Sequence, residues 1–221
     1  MTVGGCEIRL AAEAVNLNWE TVEVEAYRAF VEQLRTHDIV FDIGAHFGTY
    51  TLIALKRGGP ATRVVAYEPC ELTRDYLSRH LRWNGAGGNV IVRPVCCGSR
   101  SGVTPFYQRP GVPEGINGVV PDAGLIATDA PMVTIDDEVA DFRLVPTLIK
   151  IDVEGAELDV LKGAAGVLAT HRPRLLISVH AKRLAALGLD CDAIRTWLGD
   201  HHYDWRVVGE DQELHVLSHP V

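Results

Sequence analysis

Between residues 40 and 51 the chain reads Val40-Phe41-Asp42-Ile43-Gly44-Ala45-His46-Phe47-Gly48-Thr49-Tyr50-Thr51. An apolar run ends at Ile43, Gly44 and Gly48 interrupt it, and apolar spacing resumes at Leu52, Ile53 and Leu55. A strand that turns sharply into a helix gives this pattern. Glycine tolerates left-handed backbone and lets a ligand come close to the turn. A chain that carries such a unit and keeps alternating strands with helices folds as a parallel sheet covered on its faces.

The alternation continues. Strands are expected at residues 39–44, 63–69, 89–97, 148–153 and 173–180, and helices at 49–56, 71–83, 156–169 and 192–199. Residues 203–208 and 213–217 read as a closing hairpin around Gly209-Glu210-Asp211-Gln212. The fold class is therefore α/β, a doubly wound, mostly parallel seven-stranded sheet with helices on both faces and a C-terminal antiparallel hairpin.

Ahead of the first strand, Val24, Tyr27, Phe30, Val31 and Leu34 recur at helical spacing. They predict an amphipathic helix over 20–37, laid across the front as a packing element or as a lid. Residues 1–18 predict only short strands or turns. Residues 99–131 are rich in proline and glycine. They predict one added strand at Thr104-Pro105-Phe106-Tyr107 and a long mobile loop over 111–130. Thr134 is expected to cap a short helix. At 221 residues the chain suits one domain, with 1–37 packed onto 38–221 and an insertion around 99–131.

Composition narrows the partners. Lysine and arginine total 21 against 29 aspartates and glutamates, a formal net charge of −8, and the basic residues form no stripe. This disfavours a nucleic-acid partner. No window approaches the roughly 18 to 20 apolar residues of a membrane span. The N-terminal residues show neither the basic nor the apolar region of a secretory signal. A cytoplasmic protein acting on a small molecule is expected, with its oligomeric state open. Cys6, Cys70, Cys96, Cys97 and Cys191 form no metal-ligand spacing and read as reduced thiols.

Open parallel sheets bind ligands at the carboxyl ends of their strands. Polar residues gather at those ends here: Asp42 and Gly44, then Glu68, then Asp152 and Glu154, then His180. A dinucleotide would need G-x-G-x-x-G, whereas His46 stands where the second glycine belongs and Asp42 would repel a pyrophosphate. S-adenosylmethionine meets neither objection. Its ammonium and sulfonium suit an acidic rim at Asp42 and Asp152, and Glu68 can accept from both hydroxyls of its ribose.

Three motifs then coincide: Asp42-Ile43-Gly44-Ala45-His46-Phe47-Gly48, Ala66-Tyr67-Glu68-Pro69, and Leu148-Ile149-Lys150-Ile151-Asp152-Val153-Glu154-Gly155-Ala156-Glu157, running on through Leu161-Lys162-Gly163-Ala164. Together they resemble the FkbM family of methyltransferases over about residues 38–180. The resemblance implies a Rossmann-like fold and S-adenosylmethionine as donor. It also implies O-methylation of hydroxyls on sugars or natural-product intermediates. Asp42, Gly44, Ala45 and Gly48 would cradle the methionine part, with His46 and Thr51 beside them. Glu68 with Pro69 would hold the ribose, Cys96 would flank the adenine, and Asp152 would sit beside the transfer path. Where this chain has His46 and Ser178, related sequences more often carry Asn and an acid.

Methyl transfer to a hydroxyl needs alignment, exclusion of water and removal of a proton. His180 is the first choice of base, as a neutral imidazole near pH 7, with Asp152 or Glu154 second. A divalent metal is the other use of Asp152, Glu154 and His180, and is not favoured over the base. His201-His202 reads as surface. Residues 99–131 and the front helix would enclose the acceptor. A nucleotide-linked oxidoreductase and a non-catalytic methyltransferase-like binding protein are the alternatives.

Overall fold

The computed structural model describes residues 1–12, 23–113, 116–210 and 213–221. It opens with β1 (Thr2–Val3) paired antiparallel to β2 (Cys6–Glu7), followed by α1 (Val24–Gln33). Then come β3 (Ile39–Ile43), α2 (Thr49–Gly58), β4 (Arg63–Tyr67), α3 (Glu71–Trp83) and β5 (Val90–Arg93). A three-stranded unit follows, made of β6 (Cys96–Cys97), β7 (Gly102–Gln108) and β8 (Ile126–Val133). The second half holds α4 (Ile135–Phe142), β9 (Leu148–Ile151), α5 (Glu157–Gly163), α6 (Ala165–His171) and β10 (Arg174–Val179). It ends with α7 (Ala181–Ala186), α8 (Cys191–Asp200), β11 (Arg206–Glu210) and β12 (Leu214–Ser218).

The main sheet has seven strands in the order β5-β4-β3-β9-β10-β12-β11. The five strands from β5 to β10 are parallel, and β12 runs antiparallel between β10 and β11. The expected mostly parallel sheet with a terminal antiparallel hairpin is thus what forms. Strand order reverses between β3 and β9, which makes their carboxyl ends the natural ligand crevice. Every residue of β10 is buried, as expected for a strand covered on both faces. Val40, Leu148 and Leu176 pack with Phe30, Ile53 and Leu77 on the α1–α3 side. Phe41, Ile149 and Ile177 pack with Leu161, Leu168 and Leu198 on the other.

Local chemistry accounts for the departures from the sequence reading. The strand expected over 89–97 divides at Pro94, which has no N–H to donate. Val90–Arg93 stays on β4, while Cys96–Cys97 pairs with Met132 and Val133 in the smaller sheet. The loop expected over 111–130 is shorter: Ile126 onward pairs residue by residue with β7, from Gln108 back to Gly102. The helix expected over 156–169 is two, broken at Ala164. The preceding Gly163 lies so near Gly98 that an added Cβ would sit 1.9 Å from that carbonyl oxygen. The front helix ends at Gln33 because Leu34 is already extended, and the part expected at 20–22 lies outside the described residues, as do Asp211 and Gln212 of the hairpin turn. Thr134 caps α4 as expected, its Oγ1 accepting from Asp137 N at 3.0 Å. Among the described residues no helix is long and apolar enough to cross a membrane. All five cysteines are free thiols.

Candidate active site

The glycine turn is built on the seam between β3 and β9. Gly44 has φ +79°, and a Cβ there would lie 1.8 Å from Asp152 O. Asp152 N in turn donates to Ile43 O at 3.0 Å. Gly44 N and Ala45 N both donate to Tyr67 O at the end of β4. The turn is therefore tied to both neighbouring strands, and only glycine fits where they meet. His46 also adopts left-handed backbone, with φ 48°, and its ring lies 3.9 Å from that of Phe47. Gly48, at φ +81°, opens α2 under Leu77.

Glu68 closes the turn from the next strand. Its Oε2 accepts from His46 N at 2.8 Å and its Oε1 from Cys70 N at 2.9 Å. Burial raises the Glu68 carboxyl above its ordinary value, while these N–H groups pull the other way. Arg74 caps the segment by donating to the carbonyls of Glu68 and Pro69. Cys96 belongs to the same neighbourhood: burial first, then the Glu68 charge, push its thiol up to about 12. A cleft of about 280 Å³ opens beside them, lined by Cys70, Leu72, Asp75, Gln108 and Arg109.

Asp42 is not on a solvated rim. It is fully buried beneath the turn and accepts from Thr51 Oγ1 at 2.6 Å. Burial raises its carboxyl, opposed by Lys150 on the adjacent strand and by Thr51. Lys150 pairs in register with Asp42, lies 4.5 Å over the Tyr50 ring, and donates to Asp152 Oδ2 at 2.6 Å. It is 2% exposed, an expensive place for an ammonium, so the carboxylates around it are part of the fold. Burial disfavours the charge of Asp152, yet Lys150 and His180 hold its carboxyl below the usual range.

His180 stands at the end of β10 among four carboxylates. Its Nδ1 is 2.7 Å from Glu157 Oε1. Its Nε2 is 3.2 Å from Glu213 Oε2, 3.4 Å from Glu154 Oε1 and 3.5 Å from Asp152 Oδ1. Burial lowers the imidazole pKa, but Glu154, Glu157 and Glu213 overcome this and hold it far above the ordinary value. The surrounding carboxylates thus favour the protonated imidazole over the neutral base expected from the sequence. Glu154, expected as a second-choice base, lies in the same cluster. It is left-handed at φ 55° and faces His180 and Arg183 Nε, the latter at 3.4 Å. Glu157 instead accepts from Gly155 N at 2.9 Å.

The sequence reading passed over Glu157 and Glu213 as site residues. Glu157 lies inside the motif already noted, three positions after Glu154, where the turn through left-handed Glu154 and Gly155 brings it to His180. Glu213 is 33 positions beyond His180 and arrives through the antiparallel pairing of Val179 with Leu214. The connection between β7 and β8 also reaches this end. Arg183 bonds Asp122 at 2.8 Å and Ile116 O at 3.2 Å, and a Cβ on Gly118 would lie 3.2 Å from Glu154 Cβ. At the head of α1, Glu23 accepts from Tyr50 Oη at 2.8 Å.

Comparison with known proteins matches this architecture. The family model described as the methyltransferase FkbM domain covers residues 42–205. Hexuronic acid methyltransferase AglP of Haloferax volcanii is 27% identical over 81% of this chain and 73% of its own length. Methyltransferase sdnD of Sordaria araneosa is 29% identical over 60% of this chain, a match that takes in 62% of the Sordaria protein. Among solved structures, an FkbM methyltransferase from Methylobacillus flagellatus superposes with a TM-score of 0.58 at 22% identity, covering 85% of this chain and 44% of that one.

Proposed function

The chain belongs to the FkbM methyltransferase family, and we propose that it moves a methyl group from S-adenosylmethionine to a hydroxyl of a small, polar acceptor. The family removes the oxidoreductase reading. The observation that carries the donor is Glu68. Backbone N–H groups from His46 and Cys70 fix its two oxygens. A carboxylate offers about four lone-pair sites, so capacity remains for the two hydroxyls of a ribose. The cleft beside Cys70 gives room for the base. The acidic groups at the β3–β9 seam suit the cationic methionine end.

The donor brings a carbon already activated for displacement. This chain's own residues hold the donor, order the acceptor and take up the hydroxyl proton. Asp152 Oδ1, Glu154 and Glu213 converge on His180 Nε2 and are the groups that would take up that proton. His180, held at Nδ1 by Glu157, sits among them. The β7–β8 connection, pinned through Arg183, forms the acceptor-side wall. A hydroxylated sugar-like acceptor suits such a wall, and the hexuronic acid named for the Haloferax relative is of that chemistry. An acidic chain without a basic stripe suits a small acceptor in the cytoplasm better than a nucleic acid.

Calorimetric titration with S-adenosylhomocysteine tests the donor. Binding by the wild type, weakened at least about tenfold in Glu68→Gln with an unchanged circular dichroism spectrum, is expected for a lost charge-assisted bond. No binding by the wild type overturns the proposal. Transfer of labelled methyl to a panel of hydroxylated acceptors tests the reaction, and cofactor binding without transfer to any of them favours the non-catalytic reading.

A further inference from the structure

We infer that Asp152, His180 and Glu213 form a binding site for a divalent cation, with Glu154 at its edge. One ligand atom from each of Asp152, His180 and Glu213 lies within 4.8 Å of the others. The three come from the ends of β9 and β10 and the start of β12, three adjacent strands of one sheet. A rigid platform therefore sets their spacing.

His180 supplies the second observation. The residue is 8% exposed, and its Nε2 is buried with no hydrogen-bond partner although three carboxylates face it at 3.2 to 3.5 Å. Its other nitrogen is engaged by Glu157, which is itself fully buried. A carboxylate that holds one imidazole nitrogen while the other is turned toward further acids is the arrangement that orients histidine metal ligands. Neighbouring ligands of an octahedral ion bound at about 2.1 Å lie roughly 3.0 Å apart. The observed separations are close to that edge. Acids also outnumber bases here: Lys150 is shared with Asp42, and Arg183 with Asp122. Carboxylates with one imidazole suit magnesium or manganese, with zinc as a tighter competitor.

Such an ion would keep positions open on the acceptor side, where Glu154 and the β7–β8 connection meet. If the methyl-transfer reading holds, two neighbouring oxygens of the acceptor could occupy them, which would orient a diol and make its hydroxyl more acidic. The cation site itself rests on the cluster alone.

The test is calorimetric titration of the chelator-treated full chain with manganese chloride, with thermal melting followed in parallel. One bound ion per chain and a raised melting temperature are expected in the wild type. Affinity should fall more than tenfold in Glu213→Gln and in His180→Gln. Glu213→Gln is nearly isosteric and lies at a strand end, so its melting curve without metal serves as the folding check. Absence of manganese, magnesium and zinc binding in the wild type overturns the inference and leaves an imidazolium held by acids. So does manganese binding that both substitutions leave unchanged. S-adenosylhomocysteine binding is measured on the same samples. Cofactor binding without metal binding sinks only this inference, and metal binding without cofactor binding sinks only the proposed function.

Discussion

Glu157 Oε1 lies 2.7 Å from His180 Nδ1 and, on its other side, accepts from Gly155 N at 2.9 Å. One buried carboxylate oxygen therefore fixes both the imidazole and the turn after β9. Glu157→Ala leaves two buried donors without a partner and is expected to cost about 3 kcal/mol. Glu157→Gln keeps an oxygen acceptor in place and is expected to cost about 1 kcal/mol. Urea unfolding of the two variants separates these values. Equal losses would mean that the oxygen does not perform both tasks.

Gly44 and Gly48 share left-handed backbone but meet different obstacles. A Cβ on Gly44 runs into backbone, the Asp152 carbonyl at 1.8 Å, whereas one on Gly48 runs into the tip of a side chain, Leu77 Cδ1 at 2.2 Å. Backbone in the middle of a sheet cannot retreat, and a leucine tip can. Gly44→Ala is expected to cost more than about 3 kcal/mol and Gly48→Ala about 1 to 2, the cost of left-handed backbone alone. Thermal melting orders them. A Gly48→Ala loss as large as that of Gly44→Ala would contradict this account of the turn.

Much of this was legible in the sequence because buried parallel strands are near-continuous apolar runs, as Val64 to Tyr67 and Leu175 to Ile177 are. The turn was legible from its glycines, and Glu68 from its place after the second strand. Residues 126–133 were not, because β8 is largely solvent-facing and carries Pro131, so it shows neither an apolar run nor clean alternation. The break at Pro94 was visible as a residue, but its consequence, the transfer of Cys96 to another sheet, depends on the partner strand. The raised basicity of His180 could not be read at all. It arises from Asp152, Glu154, Glu157 and Glu213, and antiparallel register alone brings the last of these in.

Lys150 is the cation that Asp42 and Asp152 share. Lys150→Met keeps its volume and its contact with Tyr50 but leaves buried Asp42 without its cation and Asp152 with His180 alone. Loss of about 3 to 5 kcal/mol is expected at pH 7.5. The sign with pH follows from the acids. Without the ammonium their folded pKa values rise, so the variant gains stability relative to wild type as pH falls and the carboxyls take up protons. Urea unfolding at pH 7.5 and pH 5 reads this difference. A loss independent of pH would assign Lys150 a packing role only.

Glu23 gives the chain a pH response of its own. Burial first, then the charges of Asp152 and Glu213, push its carboxyl up from an ordinary 4.5 to about 7, against the opposing pull of Lys150 and of the bond from Tyr50 Oη. A raised acid binds its proton more tightly in the folded state. Its contribution to stability is therefore fully present below pH 4.5 and is lost as pH rises through about 7. The span corresponds to about 3 kcal/mol. Glu23→Gln removes this titration and keeps an acceptor for Tyr50. The stability of the variant relative to wild type should rise between pH 4.5 and pH 7.5, and taking the difference cancels every other titrating group the two chains share. Denaturant unfolding across that range makes the measurement. A difference that stays flat would show that the head of α1 does not press a carboxylate onto the acidic site beneath it.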